Sequence, residues 1–235
     1  NKGQAAAGET PSIDAGQAVA GQSVAGADTI PVAAGDTISP VLNGQETDSV
    51  RIMVAYYGAR FFSNEMQGKC DSIYYNMRDS IIYMFGQPVI WSDESQLSAE
   101  FMEVHSLDGD LDRIIMKNTA FIVSEEQEGL YNQIKGKDIV GIIRDGELYR
   151  VNVDGNAETL YYPLENDEII GINKAASASL VIYLRENKPD RIIFLKDVDS
   201  NLFPLENVTE EERILNNFQW LDHLRPVSAD DVFRK

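Results

Sequence analysis

Short apolar strands recur along the middle of the chain, each directly after a small residue or a proline. These preceding residues are Ala59, Pro88, Ala120 and Ala157, which lie 29, 32 and 37 residues apart. A spacing of this size is typical of repeat proteins, in which each repeat adds one layer to a common core. Unequal steps are typical of stacked β coils whose hairpin loops differ in length. The pattern therefore predicts a stack of repeated strands between residues 50 and 196.

A second, longer strand in each repeat changes the phase of its apolar positions halfway along. In residues 96–104 the change falls between Phe101 and Met102, and residues 67–75 show the same change after Cys70. Because side chains alternate between the two faces of a strand, an extra residue is needed to keep the apolar side facing one interior. A β-bulge or a corner provides that residue. We expect one at each small-acid pair, namely Cys70-Asp71, Ala99-Glu100 and, more loosely, Lys137-Asp138.

A third strand type carries Asp-x-Ile-Ile and a further apolar residue. It occurs at 79–83, 112–116 and 190–194, and in a weaker form at 147–151. One side of these strands is polar and should face solvent, and the other should face the interior. The outward residues are predicted to be Ser80, Arg113, Lys117 and Arg191.

The three strand types together predict one apolar interior. The first type contributes the third residue after each small residue: Phe62, Trp91, Val123 and Leu160. The second type contributes the apolar residues beyond the change of phase: Ile73, Tyr75, Met102, Val104, Val140 and Ile142. The third type contributes Ile81, Tyr83, Ile114, Met116, Ile192 and Phe194.

The two ends of the chain differ from this middle part. Residues 1–49 are rich in Ala, Gly, Ser and Thr and contain no aromatic residue, so we predict a flexible linker there. The β domain is predicted over residues 50–207. In residues 208–235, Thr209 and Glu212 have capping-box spacing, and apolar residues follow at helical intervals as far as Pro226. We predict a C-terminal helix that covers an end of the β stack, with Ile214, Phe218 and Leu221 facing the strands.

The composition restricts the classes of partner. The chain of 235 residues has a net charge of −18 at pH 7, which disfavours nucleic acids and anionic membrane surfaces. No stretch approaches the roughly 20 apolar residues of a membrane-spanning helix. A single cysteine, Cys70, excludes an internal disulfide.

The usual signatures of catalysis and of metal binding are missing. The histidines, His105 and His223, are not spaced as metal ligands, and neither a P-loop nor a nucleophile elbow is present. The acidic runs at 108–112 and 197–201 lack the combination of glycine and glutamate that an EF-hand loop needs. The place of Cys70 in a strand alternation favours a small core residue over a nucleophile. We therefore expect no catalytic residues, no metal, no cofactor and no enzymatic activity.

Four segments carry a resemblance to a known family: 66–76, 84–91, 132–137 and 171–175. Over residues 57–196 the sequence resembles the LptA/OstA family of periplasmic lipopolysaccharide-transport proteins, in particular the larger OstA-like subgroup. The resemblance implies an all-β fold, a bent, two-walled antiparallel stack called a β-taco or β-jelly-roll. It also implies a periplasmic location and an apolar trough that holds lipopolysaccharide acyl chains. The implied partners are lipopolysaccharide or another acylated lipid, and other Lpt-type proteins or a second copy stacked end to end.

Under this interpretation the predicted interior residues are the lipid-binding residues. A structural or protein-interaction module with a closed core and no lipid ligand is the alternative, and apolar stripes in the sequence fit both. A carbohydrate-active β-helix enzyme is a third interpretation, which the lack of a clustered acid pair disfavours.

Overall fold

A computed structural model describes residues 50–185 and 188–233, and the predicted linker at 1–49 lies outside this part of the chain. The described residues form eighteen strands and no α-helix. The strands are β1 (Ile52–Ala55), β2 (Arg60–Phe62), β3 (Gln67–Lys69), β4 (Ser72–Asn76), β5 (Ile81–Phe85), β6 (Val89–Ser92), β7 (Ser95–Ser98), β8 (Phe101–Leu107), β9 (Asp110–Lys117), β10 (Ala120–Gln127), β11 (Leu130–Gly136), β12 (Asp138–Arg144), β13 (Glu147–Tyr161), β14 (Leu164–Glu165), β15 (Glu168–Ile169), β16 (Ile172–Arg185), β17 (Lys188–Leu195) and β18 (Asp199–Phe203).

Sixteen of these strands form one antiparallel sheet that consists of two series of strands, called the first wall and the second wall here. The first wall runs in the order β1, β4, β5, β8, β9, β12 and the first part of β13. The second wall runs in the order β2, β3, β6, β7, β10, β11 and the last part of β13. β16 pairs with β13 along both parts, and it adds β17 to the first wall and β18 to the second. The predicted antiparallel β architecture is therefore confirmed.

The chain passes from one wall to the other at two of the predicted small-acid pairs. Cys70 and Asp71 separate β3 from β4, and the backbone N–H of Cys70 donates to the carbonyl oxygen of Ala59 at 2.9 Å. Ala99 lies between β7 and β8 and donates in the same way to Pro88 at 3.3 Å. Ala59 and Pro88, which each precede a short strand, thus contact the small-acid pairs at two corners between the walls.

One hydrophobic core joins the two walls. Its buried residues include Met84, Met102 and Met116 from the first wall and Phe61 and Ile90 from the second. Full burial of a side chain of this size contributes about 1.5–3 kcal/mol. The apolar sides of the two walls therefore pack against each other, and this contact is the main source of stability in the fold.

The predicted C-terminal helix is wrong for residues 208–233. The segment 204–233, called the C-terminal strap here, contains only the 3₁₀ turns Leu205–Asn207, Glu211–Arg213, Asp222–Leu224 and Ala229–Phe233. Half of the capping box does form, because Glu212 accepts hydrogen bonds from the backbone N–H and the hydroxyl of Thr209, each at 3.0 Å. The turn then ends at Ile214, whose backbone is extended.

Buried glutamines explain why the strap is not helical. Gln133 Nε2 donates to the carbonyl oxygen of Arg213 at 2.8 Å, and the N–H of Leu215 donates to Gln133 Oε1 at 2.8 Å. The same pair of bonds joins Gln96 to Gln219 and Leu221, at 2.7 and 2.6 Å. These four backbone groups of the strap therefore bond to side chains of the second wall instead of continuing a helix.

Candidate functional site

Half of the predicted interior residues do face the space between the walls. The cross-strand register places Ile73, Met102, Met116 and Phe194 in one row of the first wall. Tyr75, Val104, Ile114 and Ile192 form the next row, farther from the corner. Most of these side chains belong to the common core or pack against it.

Ile81, Tyr83, Val140 and Ile142 lie on the opposite, outer face of the first wall. Ile81 pairs with His105, whereas its neighbour Ile82 pairs with the core residue Val104. β9 carries a bulge between Leu111 and Arg113, whereas the pairing of β4 with β5 has no bulge. The Asp-x-Ile-Ile segment that begins at Asp79 is therefore shifted by one residue relative to the segment that begins at Asp112.

The third corner explains the error at Val140 and Ile142. Ile139, not Val140, is in the same row as Met116, so Gly136-Lys137 occupies the place of the small-acid pair. The prediction that these residues share the interior with Met116 is corrected accordingly.

The first strand type was also assigned to the wrong face. Trp91 pairs with Gln67 and Gln96, Val123 with Gln96 and Gln133, and Phe62 and Leu160 extend this row. Gln96 and Gln133 bind the C-terminal strap, so the row faces the strap and not the first wall. The interior of the second wall is lined instead by the alternate residues Phe61, Ile90, Leu97, Ile122 and Ile134.

Burial on both faces of the second wall is the physical reason for this error. Val89, Ile90 and Trp91 are all buried, so the apolar run carries no alternation from which a face can be identified. A different signal was available. Gln67, Gln96 and Gln133 occupy equivalent places in successive repeats and are buried, which indicates a segment that covers this side.

The interior combines fully buried and partly buried apolar side chains. Met102 and Ile139 are 0% exposed. Around them the core is bordered by apolar side chains that are only partly buried, called the apolar margin here: Ile82, Leu97, Leu111, Ile122, Ile134, Leu148 and Leu184. The margin draws on both walls, so apolar side chains with partial access to solvent adjoin the core on each of them.

The buried thiol of Cys70 is poorly suited to act as a nucleophile. Burial, opposed by a hydrogen bond from the Phe85 backbone and assisted by the charge of Asp71, raises the pKa of the Cys70 thiol to about 12. The thiol therefore stays protonated at neutral pH. Within residues 50–185 and 188–233 no group of three His, Cys, Asp or Glu residues is placed to hold a metal ion. The same residues contain no helix of the length and hydropathy needed to cross a membrane.

Comparison with solved structures finds a similarity to a known protein. No family model matches the chain, and no curated protein matches it either. A crystal structure of LptH from Pseudomonas aeruginosa, described as the LptA homologous periplasmic component of the conserved lipopolysaccharide transport device, matches with a TM-score of 0.46 and 10% sequence identity. The match covers 59% of this chain and 95% of that one.

Proposed function

We propose that this chain is a non-enzymatic periplasmic module that shields the acyl chains of lipopolysaccharide between its two walls during transport to the outer membrane. The apolar margin, whose partly exposed side chains adjoin the buried core on both walls, carries the proposal. In this view the two walls form the bent trough of a β-taco, and acyl chains enter it from the open side. The β domain at 50–207 performs the binding, with residues 1–49 as a linker.

The energetics favour binding through the acyl chains. Each methylene group that leaves water contributes about 0.8 kcal/mol, so a few partly enclosed chains outweigh a modest repulsion of the head group. The repulsion arises because the chain carries a net charge of −18. It is screened beyond about 10 Å at 0.1 M salt. The head group should therefore remain outside the walls.

The sheet ends suit a partner of the same kind. At one end of the stack the outermost strands of the two walls are β1 and β2, and at the other end they are β17 and β18. Each of these four strands has one edge without a strand partner among the described residues. Such edges accept a further strand. We propose that another Lpt-type protein, or a second copy of this chain, stacks there end to end.

The Ile-Ile pairs provide a matched test of lipid binding. Ile114 faces the core and Ile115, on the same strand, faces outward. Ile192 and Ile193 form a second such pair on β17. A photo-crosslinking amino acid at Ile114 or Ile192 should capture lipopolysaccharide, whereas one at Ile115 or Ile193 should not. Equal capture at both members of each pair, or none at the inward positions of a folded protein, would favour a closed-core interaction module instead.

A further inference from the structure

Three β-bulges occur at equivalent places in the first wall, and each one precedes an arginine. The extra residues are Asp112 before Arg113, Tyr149 before Arg150 and Asp190 before Arg191. In a bulge, two residues of one strand lie opposite a single residue of the partner strand, so the two neighbouring side chains lie side by side. Each of these three hairpins therefore has an arginine on its outer face, and the companion residue that precedes the arginine differs between hairpins.

The arginines form a row across the strands. Arg113 pairs with Ile142, Ile142 with Arg150, Arg150 with Tyr183, and Tyr183 with Arg191. Neighbouring strands lie about 4.8 Å apart, so successive arginines are separated by about 10 Å. A row of cations is unexpected in a chain with a net charge of −18.

The companion residue differs among the three bulges. Asp112 forms an ion pair with Arg113 at 2.5 Å, and Asp190 lies 3.9 Å from Arg185. The middle bulge has Tyr149 in place of the acid. Within the described residues Arg150 has no carboxylate partner, and its buried Nε has no hydrogen-bond partner.

Two further arginines surround this position. The guanidinium of Arg144 lies 4.0 Å from the ring centre of Tyr149, and that of Arg191 lies 4.6 Å from the ring centre of Tyr183. The two tyrosine rings contact each other, with centres 5.9 Å apart. Neither Arg144 nor Arg191 forms an ion pair with a described carboxylate. We call Arg144, Tyr149, Arg150, Tyr183 and Arg191 the arginine–tyrosine cluster.

The cluster lies back to back with the apolar margin. Leu148 precedes Tyr149 on β13 and faces the core, and Ile143 pairs with Leu148 next to Arg144. The same hairpin end thus offers an apolar surface on its inner side and uncompensated positive charge on its outer side. An amphiphile with acyl chains and an anionic group has this division of polarity.

We propose that the arginine–tyrosine cluster binds a phosphate group. Guanidinium groups match the oxygens of a phosphate as paired donors and stay charged at every physiological pH, and the tyrosine rings hold two of them in place. Assigning the phosphate to the head group of an acylated ligand rests on the proposed function. The phosphate site itself does not.

Three variants test the site. Arg150→Gln removes the central cationic group of the cluster, and Tyr149→Asp introduces the acid found at the other two bulges. Arg113→Gln is the matched control, since Arg113 occupies the equivalent place but already has Asp112 as its partner. Each full-length variant is first checked for an unchanged thermal unfolding temperature. Affinity is then measured for inorganic phosphate and, separately, for micelles of phosphorylated and dephosphorylated lipopolysaccharide.

Arg150→Gln and Tyr149→Asp should each weaken the binding of inorganic phosphate and of the phosphorylated micelles at least tenfold, whereas Arg113→Gln should change it less than twofold. Failure of the wild type to bind phosphate, or equal losses for Arg150→Gln and Arg113→Gln, would overturn the site. A loss with inorganic phosphate alone would keep the site and overturn its assignment to a lipid head group. If a crosslinking amino acid at position 114 captures no lipopolysaccharide while phosphate still binds, the proposed function fails and the phosphate site stands.

Discussion

The backbone N–H of Leu221 donates a hydrogen bond of 2.6 Å to the side-chain oxygen of Gln96, a residue 125 positions earlier in the chain. The amide nitrogen of Gln96 returns a bond of 2.7 Å to the carbonyl oxygen of Gln219. The side chain of Gln96 is 0% exposed, so it acts as a buried peptide group that joins the strap to β7. Gln133 repeats this arrangement six residues earlier in the strap.

Gln96→Ala should therefore destabilise the protein. It removes two hydrogen bonds and leaves a cavity at a buried position, which together cost about 2–3 kcal/mol. Urea unfolding measures this loss, and Gln127→Ala, at an exposed glutamine of β10, should stay within about 0.5 kcal/mol of the wild type. In Gln96→Ala, hydrogen exchange should accelerate at the Leu221 amide but not at the Leu215 amide, which is bonded to Gln133. An equal acceleration at both amides would show that the two contacts do not act separately.

The repeats and corners of the β stack could be predicted from the sequence because one face of the first wall alternates clearly. Met102 and Val104 both face the core, as the change of phase after Phe101 predicts. Local insertions could not be predicted in the same way. The bulge at Asp112 is visible only through the pairing of β8 with β9, and it shifts Ile81 to the other face relative to Ile114.

The strap and the second wall were the parts that sequence patterns failed to predict. Residues 209–226 have helical spacing of apolar positions and a capping box, and these local preferences favour a helix. Tertiary hydrogen bonds from Gln96 and Gln133 outweigh them. The faces of Trp91 and Val123 could not be assigned for the related reason that the strap buries the side of the wall that would otherwise carry polar residues.

Gly68→Ala should destabilise the second wall. A Cβ at Gly68 would clash with Cε1 and Cζ of Phe61, a core side chain that has little room to move. Overpacking of this kind costs about 1–3 kcal/mol. The same substitution in a Phe61→Leu background should cost less, because the two clashing ring atoms are gone. Unfolding free energies of the four proteins in this double-mutant cycle check the prediction, and simple additivity would show that Phe61 is not the obstacle.

Cys70 should make stability depend on pH in the alkaline range. Burial raises the pKa of its thiol from 9.0 to about 12 in the folded protein. The folded state therefore holds the proton more tightly, and the resulting stability is complete below pH 9 and is lost as the pH rises towards 12. Burial also raises the pKa values of Tyr161 and Tyr162, so the wild type alone cannot isolate the thiol.

The comparison with Cys70→Ala isolates the contribution of the thiol. Between pH 8.5 and pH 11 the unfolding free energy of the wild type should fall more steeply than that of Cys70→Ala, as measured by urea unfolding. At pH 8 the wild-type thiol should react with iodoacetamide only as fast as the protein opens. Parallel pH curves for the two proteins, or rapid alkylation of the folded wild type, would show that the thiol is not held in its protonated form.

The depth of a charge between the walls should determine whether it affects folding or binding. Met116 is 1% exposed, so Met116→Asp should cost at least about 3 kcal/mol and unfold much of the protein. Ile122 lies in the apolar margin, where the carboxylate keeps access to water, and Ile122→Asp should cost only about 1 kcal/mol. The folded Ile122→Asp protein should nevertheless lose capture of lipopolysaccharide by a crosslinker at Ile114, since the charge then borders the proposed path of an acyl chain. Ile115→Asp, on the outer face, should leave capture unchanged. Similar stability losses for Met116→Asp and Ile122→Asp would mean that the margin is part of a closed core, and the lipid-binding proposal would then fail.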